Sequence, residues 1–149
     1  AAITKLGAEA INYREQDFAE VIAKQTADKG VNVILDIMGA SYLNNNLKAL
    51  AMDGHLVMLG FLGGGKANDV DLLSILAKRA VITGSLLRAR SKDEKAAIAE
   101  QLREYIWPVL AAGRCLPIID KVYAYTDAAQ AHARMEGGDH IGKIVLRVE

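Results

Sequence analysis

One cysteine, Cys115, and two prolines, Pro108 and Pro117, are all that 149 residues contain of either type. A lone thiol excludes an internal disulfide and any multi-cysteine zinc site within the chain, and it suits a reducing, cytoplasmic setting. Neither sign of charge is in excess, since 18 Lys and Arg balance 18 Asp and Glu. No global field therefore draws the chain to nucleic acid, an anionic membrane or an acidic partner. Aromatic residues make up 5% of the sequence, too few for a stacking platform along a nucleic acid strand. The longest apolar runs, such as Val31 to Leu35 and Leu56 to Leu59, fall far short of the roughly 20 residues a membrane span needs. The first residues show no basic region, apolar core or processing site of a secretory signal. No H-E-x-x-H or C-x-x-C spacing marks a metal site, and no Ser/His/Asp grouping can be assembled. The most informative absence is a glycine fingerprint. No G-x-G-x-x-G follows any strand, although the rest of the chain reads as strand-helix units with nucleotide-pocket turns.

What is present is an apolar share of 52%, ordinary for a globular α/β protein, arranged in alternating short apolar runs and helical stretches. Val31 to Asp36, His55 to Leu59 and Ala80 to Ser85 have the composition of buried parallel strands. Ala1 to Leu6 reads as the tail of a helix stopped by Gly7, and Ala8 to Tyr13 as a short strand. A chain that begins inside a helix tail suggests the rear part of a longer dinucleotide-binding enzyme. A helix is expected from about Asp17 to Lys29, with Phe18, Val21, Ile22 and Gln25 on one face, and it closes at Gly30. Ser41 to Leu50 has Leu43, Leu47 and Leu50 at core-facing spacing, and Asp53-Gly54 is a turn signal ahead of the second strand. The glycine-rich loop from Gly63 to Val70 is flexible by composition, and a helix from Asp71 to Arg79 returns the chain to the third strand. This is the carboxyl-terminal half of a doubly wound, Rossmann-type parallel sheet, spanning residues 1–90.

At Arg88-Ala89-Arg90 charge replaces the strand-helix alternation, and residues 91–149 read as a separate, small α+β tail. Ser91 and Glu94 have capping-box spacing. Ile98, Leu102, Tyr105, Ile106 and Val109 continue that helix as one apolar stripe, which Pro108 should kink or end. Lys121 to Tyr125 and Ile144 to Val148 alternate as strands around a helix from Thr126 to Glu136, whose Ala128, Ala131, His132 and Met135 share a side.

Chemistry is expected at the carboxyl edge of the strands, where open α/β sheets bind ligands. Two turns there are rich in glycine: Asp36-Ile37-Met38-Gly39 and Gly60-Phe61-Leu62-Gly63-Gly64-Gly65. Residues without a β-carbon let backbone amides approach a ligand closely; a mobile surface loop would have the same composition. Asp36 could cap the following helix or bind a ribose hydroxyl. Tyr13 could stack on an adenosine or be a half-buried aromatic. Arg88 and Arg90 could hold an anion or lie on a solvated surface. His55, His132 and His140 have no partners in sequence that favour catalysis.

Several segments together resemble the zinc-independent quinone oxidoreductases of the medium-chain dehydrogenase/reductase superfamily. They are Leu6-Gly7-Ala8-Glu9-Ala10-Ile11-Asn12-Tyr13, the Asp36 to Gly39 turn, the Gly54 to Gly65 strand and loop, the stretch from Ile82 to Arg90, and Ile141-Gly142-Lys143-Ile144-Val145-Leu146. Ser85-Leu86-Leu87-Arg88-Ala89-Arg90 is especially similar to the p53-inducible branch. The resemblance implies NADPH as hydride donor and a quinone or enone as acceptor, with an enoyl-thioester reductase as the alternative within the same superfamily. A non-catalytic nucleic-acid-binding module is the other alternative, which the neutral charge disfavours. By position, Tyr13 would lie near the adenosine 2′-phosphate, and Met38 and Gly39 would line the cleft. Gly60, Phe61, Leu62, Gly63, Gly64 and Gly65 would follow the ribose and nicotinamide. Ser85, Leu86 and Leu87 would meet the nicotinamide end, and Gly142 and Lys143 the last cofactor contact. The substrate domain, the glycine fingerprint and a basic residue upstream of the tyrosine have no counterpart here. Residues 91–149 would complete the substrate domain, and a homodimer through strand 80–85 is implied.

Overall fold

The computed structural model describes residues 2–148, which form two compact units divided between Ala89 and Arg90. The helical position expected of Ala1 lies outside the described residues. In the first unit three parallel strands, β1 (Val31–Asp36), β2 (Leu50–Met58) and β3 (Val81–Gly84), lie side by side in that order. Register is set by pairs such as Leu35 with Val57 and Leu56 with Ile82. Helices α1 (Ala2–Lys5), α2 (Phe18–Gln25), α3 (Leu43–Ala49) and α4 (Leu72–Lys78) connect and flank them. The core is small and centres on Leu47, Leu50 and Leu56, all with essentially no solvent contact. Val33 and Leu35 share one face of β1 and remain exposed.

The helix ends follow from particular side chains. Asp17 holds an extended conformation and its carboxylate accepts from the Ala19 amide at 2.8 Å, which starts α2. Thr26 ends it: its hydroxyl donates to the Ile22 carbonyl and accepts from the Gly30 amide, and Ala27 and Asp28 both take positive φ. The helix therefore stops at Gln25, short of the Lys29 that apolar spacing suggested, because a side chain has replaced the backbone ladder. At the far end of α3, the Lys78 ammonium donates to the carbonyls of Leu47, Lys48 and Leu50 at 2.6, 2.7 and 2.6 Å. One cation thus satisfies carbonyls that the helix end leaves open. Burial pushes the Lys78 pKa down from its ordinary value.

Two further expectations for this unit differ from the structure. Ala8 to Tyr13 belongs to no strand, because no neighbouring strand among the described residues supplies the ladder that an extended segment needs. The Asp53-Gly54 turn exists as an excursion inside β2, not ahead of it. Val31 pairs with Leu50 while Val33 pairs with His55, and Asp53 turns the chain with φ 58°.

In the second unit, Ser91 and Glu94 form the expected capping box at the start of α5 (Lys92–Gln101). The chain then widens into a π-helical turn from Leu102 to Ile106 and resumes as α6 (Trp107–Ala111). The Trp107 amide reaches back to the Leu102 carbonyl. Pro108 thus does not end the helix at once: helical turns continue to Ala111, and the wide turn before it accommodates the missing N–H. Strands β4 (Ile119–Ala124) and β5 (Lys143–Arg147) pair in parallel through α7 (Ala128–Glu136), which buries Ala131 while β4 buries Tyr123. Among the described residues no helix is long and apolar enough to cross a membrane.

Asp120 joins these three elements. Its carboxylate accepts two bonds from the Arg134 guanidinium, each 2.9 Å, and one from the Ile141 amide at 3.2 Å. The Arg134 hydrogen bonds, followed by that amide, hold its pKa below the ordinary carboxylate value. A depressed carboxylate favours the folded state above its unfolded pKa, and that contribution fades as pH falls through the folded pKa. Asp120→Asn is therefore expected to flatten the acid side of the stability profile measured by denaturation at stepped pH. An unchanged acid limb would remove Asp120 from this role.

Candidate cofactor site

The carboxyl ends of β1 and β2 carry the two glycine-rich turns, and the structure binds them to each other. The Leu59 amide donates to the Asp36 carbonyl at 2.7 Å, Leu62 to Ile37 at 3.0 Å and Gly63 to Met38 at 2.7 Å. In return the Ala40 amide donates to the Gly64 carbonyl at 2.9 Å. Asp36 anchors the arrangement from below. It is 5% exposed, and its two carboxylate oxygens accept from the amides of Met38 at 3.0 Å and Gly39 at 2.7 Å. These bonds brace the turn between β1 and the 3-10 segment Gly39–Tyr42, whose own N-cap residue is Met38.

Close approach explains two of the glycines. Gly39 has φ 75°, and a β-carbon there would lie 2.7 Å from the Gly64 carbonyl oxygen and 2.9 Å from the Phe61 ring. At Gly63 a β-carbon would collide with the Ser41 hydroxyl and sit 3.0 Å from the Met38 carbonyl oxygen. The glycines therefore let one turn dock on the other. The loop expected to be flexible is also fastened at its far end, where the Asn44 amide group donates to the Asp69 carbonyl and accepts from the Asp71 amide. Phe61 and Leu62 remain exposed on the second turn, as do Leu86 and Leu87 beyond β3. The Ser85 amide donates to the Met58 carbonyl at 3.0 Å, which keeps the exit of β3 against the end of β2.

Tyr13 is exposed and forms an edge-on pair with Tyr42, with ring centroids 6.5 Å apart. Tyr42 in turn lies 5.2 Å from Phe18. The Arg14 guanidinium sits over the Tyr13 ring, 5.9 Å from its centroid. These side chains, with Gln16 and Asn45, line an open cavity of about 390 Å³. Tyr42 closes the 3-10 turn that Gly39 opens, so the aromatic cavity and the docked turns share one segment of chain. Sequence reasoning singled out Tyr13 and missed Tyr42 and Arg14. The signal for Arg14 was its adjacency to Tyr13, whereas nothing in the local pattern marks Tyr42.

Gly142 and Lys143 belong to the second unit, where Gly142 packs with φ 98° against the Ile118 backbone and the Lys143 amide donates to the Ile118 carbonyl at 2.8 Å. Among the described residues no group of three or more His, Cys, Asp or Glu side chains comes together to hold a metal ion. At the strand ends the turns present backbone groups and apolar side chains, and the neighbouring cavity has aromatic faces beside a guanidinium, a lining compatible with a nucleotide.

Residues 6–146 match the zinc-binding dehydrogenase family. A quinone oxidoreductase of Rattus norvegicus is 30% identical over 139 residues, which cover 93% of this chain and 40% of that protein. A 2-haloacrylate reductase of a Burkholderia species is 32% identical over 141 residues, covering 91% of this chain and 40% of the relative. Among solved structures, an alcohol dehydrogenase superfamily protein from Novosphingobium aromaticivorans superposes with TM-score 0.77 at 25% identity, over 98% of this chain and 44% of that one. The chain thus spans about 40% of the length of these curated relatives. By the extent of the family match and the parallel sheets that carry it, the chain belongs to the zinc-binding dehydrogenase family of medium-chain oxidoreductases.

Proposed function

We propose that this chain supplies one wall of the cofactor cleft in an oxidoreductase that passes hydride from NADPH to a quinone or enone without using zinc. The observation that carries the reading is the pair of docked turns at the carboxyl ends of two adjacent parallel strands. On this reading residues 1–90 are half of the cofactor domain and residues 91–149 complete the substrate domain. Tyr13 faces the adenosine end, and Met38 and Gly39 line the cleft. Gly60 to Gly65 follow the ribose, Ser85 to Leu87 meet the nicotinamide, and Gly142 and Lys143 make the last contact. NADPH supplies the hydride. The chain's own task is to hold the nicotinamide ring in a fixed orientation, with exposed Phe61, Leu62, Leu86 and Leu87 as an apolar surface that excludes water. No side chain of this half is assigned an acid-base role.

The relative that acts on 2-haloacrylate favours a second reading, in which the acceptor is a different activated alkene, enoyl thioesters included. The protein is proposed to work in the cytosol as a twofold dimer joined through β3.

The test is NADPH oxidation followed optically with a simple quinone, an enone and an enoyl thioester as acceptors. The isolated chain is expected to give no turnover, because hydride transfer needs both cleft walls and a pyrophosphate-binding helix end. A full-length enzyme containing this chain is expected to turn over at least one acceptor. Turnover by the isolated chain would overturn its assignment as one wall, and a full-length enzyme inert toward all three would overturn the hydride-transfer reading.

A further inference from the structure

We infer that the corner where α3 runs into β2 is a binding site for a monovalent cation of ammonium or potassium size, and that this chain fills it with its own Lys78. The main-chain carbonyls of Leu47, Lys48 and Leu50 converge on the Lys78 nitrogen at 2.6, 2.7 and 2.6 Å. An ammonium has three N–H donors, and here main-chain oxygens accept all three. Among the described residues no carboxylate lies within ion-pair distance of this nitrogen. Its charge is met by carbonyl dipoles and not by an opposite charge, the chemistry by which protein sites replace the hydration shell of potassium.

The cradle is formed by the fold and not by the lysine. Leu47 and Leu50 have 0% and 1% of their surface exposed, so burial of their side chains fixes the carbonyls they carry. Leu47 and Lys48 lie in the last turn of α3, whose carbonyls have no partner further along the helix and form the negative end of its dipole. Leu50 leaves the helix in an extended conformation, and its carbonyl meets the same nitrogen. The Ala49 carbonyl oxygen packs on Gly30, where an added β-carbon would lie 2.6 Å from it. Asp28 and Lys29 both line the adjoining open cavity of about 490 Å³ and offset each other in charge. A site of dipoles without net charge favours a monovalent ion over calcium or magnesium, which are held largely by carboxylates. The same cavity has room for the waters that complete an ion's shell.

The test compares the wild type with Lys78→Met, which removes the nitrogen and keeps most of the apolar stem. Urea unfolding midpoints are measured in potassium, ammonium, sodium and choline chloride at one ionic strength, and the wild type sets the general effect of each salt. Corrected for that effect, the variant should unfold at lower urea in choline chloride. It should regain at least about half of that loss in potassium or ammonium chloride, and less in sodium chloride. Carbonyl carbon resonances of Leu47, Lys48 and Leu50 should shift saturably with potassium in the variant and not in the wild type. If the variant does not fold in choline chloride, far-UV circular dichroism follows it as potassium replaces choline, and recovery of helix is the expected result. Potassium acting no better than choline on the variant, sodium matching potassium, or a wild type that responds as strongly as the variant overturns the inference. No readout involves a nicotinamide cofactor, so the outcome is independent of the hydride-transfer reading.

Discussion

Gly39→Val is expected to cost about 3 kcal/mol or more of folding stability and to loosen both glycine-rich turns. Two penalties add. An L side chain at φ 75° costs roughly 1–2 kcal/mol, and a β-carbon 2.7 Å from the Gly64 carbonyl oxygen forces the second turn away. Moving that turn breaks the bonds from Leu62, Gly63 and Ala40 that hold the two turns together. Gly7→Ala supplies the control, since Gly7 also has positive φ, at 82°, but nothing within 4 Å of an added β-carbon. It should lose only the conformational part, roughly 1–2 kcal/mol. Urea unfolding of both variants measures the difference. Equal losses would mean that crowding between the turns contributes nothing.

Val81→Lys combined with Thr83→Lys is expected to halve the solution mass of the proposed dimer. Among the described residues β3 has β2 on one side and no strand on the other, so its outer backbone groups can template a second copy. Val81 and Thr83 alternate on an exposed face, whereas Ile82 pairs in register with buried Leu56 and is left untouched to preserve the fold. In an antiparallel twofold pairing the new charges would lie close to their own copies and repel. Light scattering at matched concentrations reads the result, and a variant of unchanged mass places the interface elsewhere.

The three parallel strands were legible because each is a short apolar run, and the capping box because its spacing is local. What the sequence misplaced depended on contacts distant along the chain or on a single polar side chain. The segment from Ala8 to Asn12 carries strand-like residues, yet pairing is a property of neighbours that the residues themselves do not encode. Thr26 cut α2 short through one hydroxyl, an effect that apolar periodicity does not register. At the site, the glycines were visible as a cluster, but composition did not show that the two turns are hydrogen-bonded to each other. The bonds that join them link residues about 25 apart, such as Met38 and Gly63. Tyr42 was missed for the same reason: its relation to Tyr13 is spatial.

Lys78 gives this fold a chemical reporter. Its amine is shielded by three carbonyls at the corner between α3 and β2, although burial pushes its pKa down and would otherwise favour the nucleophilic free base. An amine-directed reagent has to displace three hydrogen bonds from a partly buried nitrogen. The rate at which an acylating probe labels Lys78 is therefore expected to rise as the helix end opens. Enzymatic acetylation would face the same competition, and a chain acetylated there would lose the cation that closes α3.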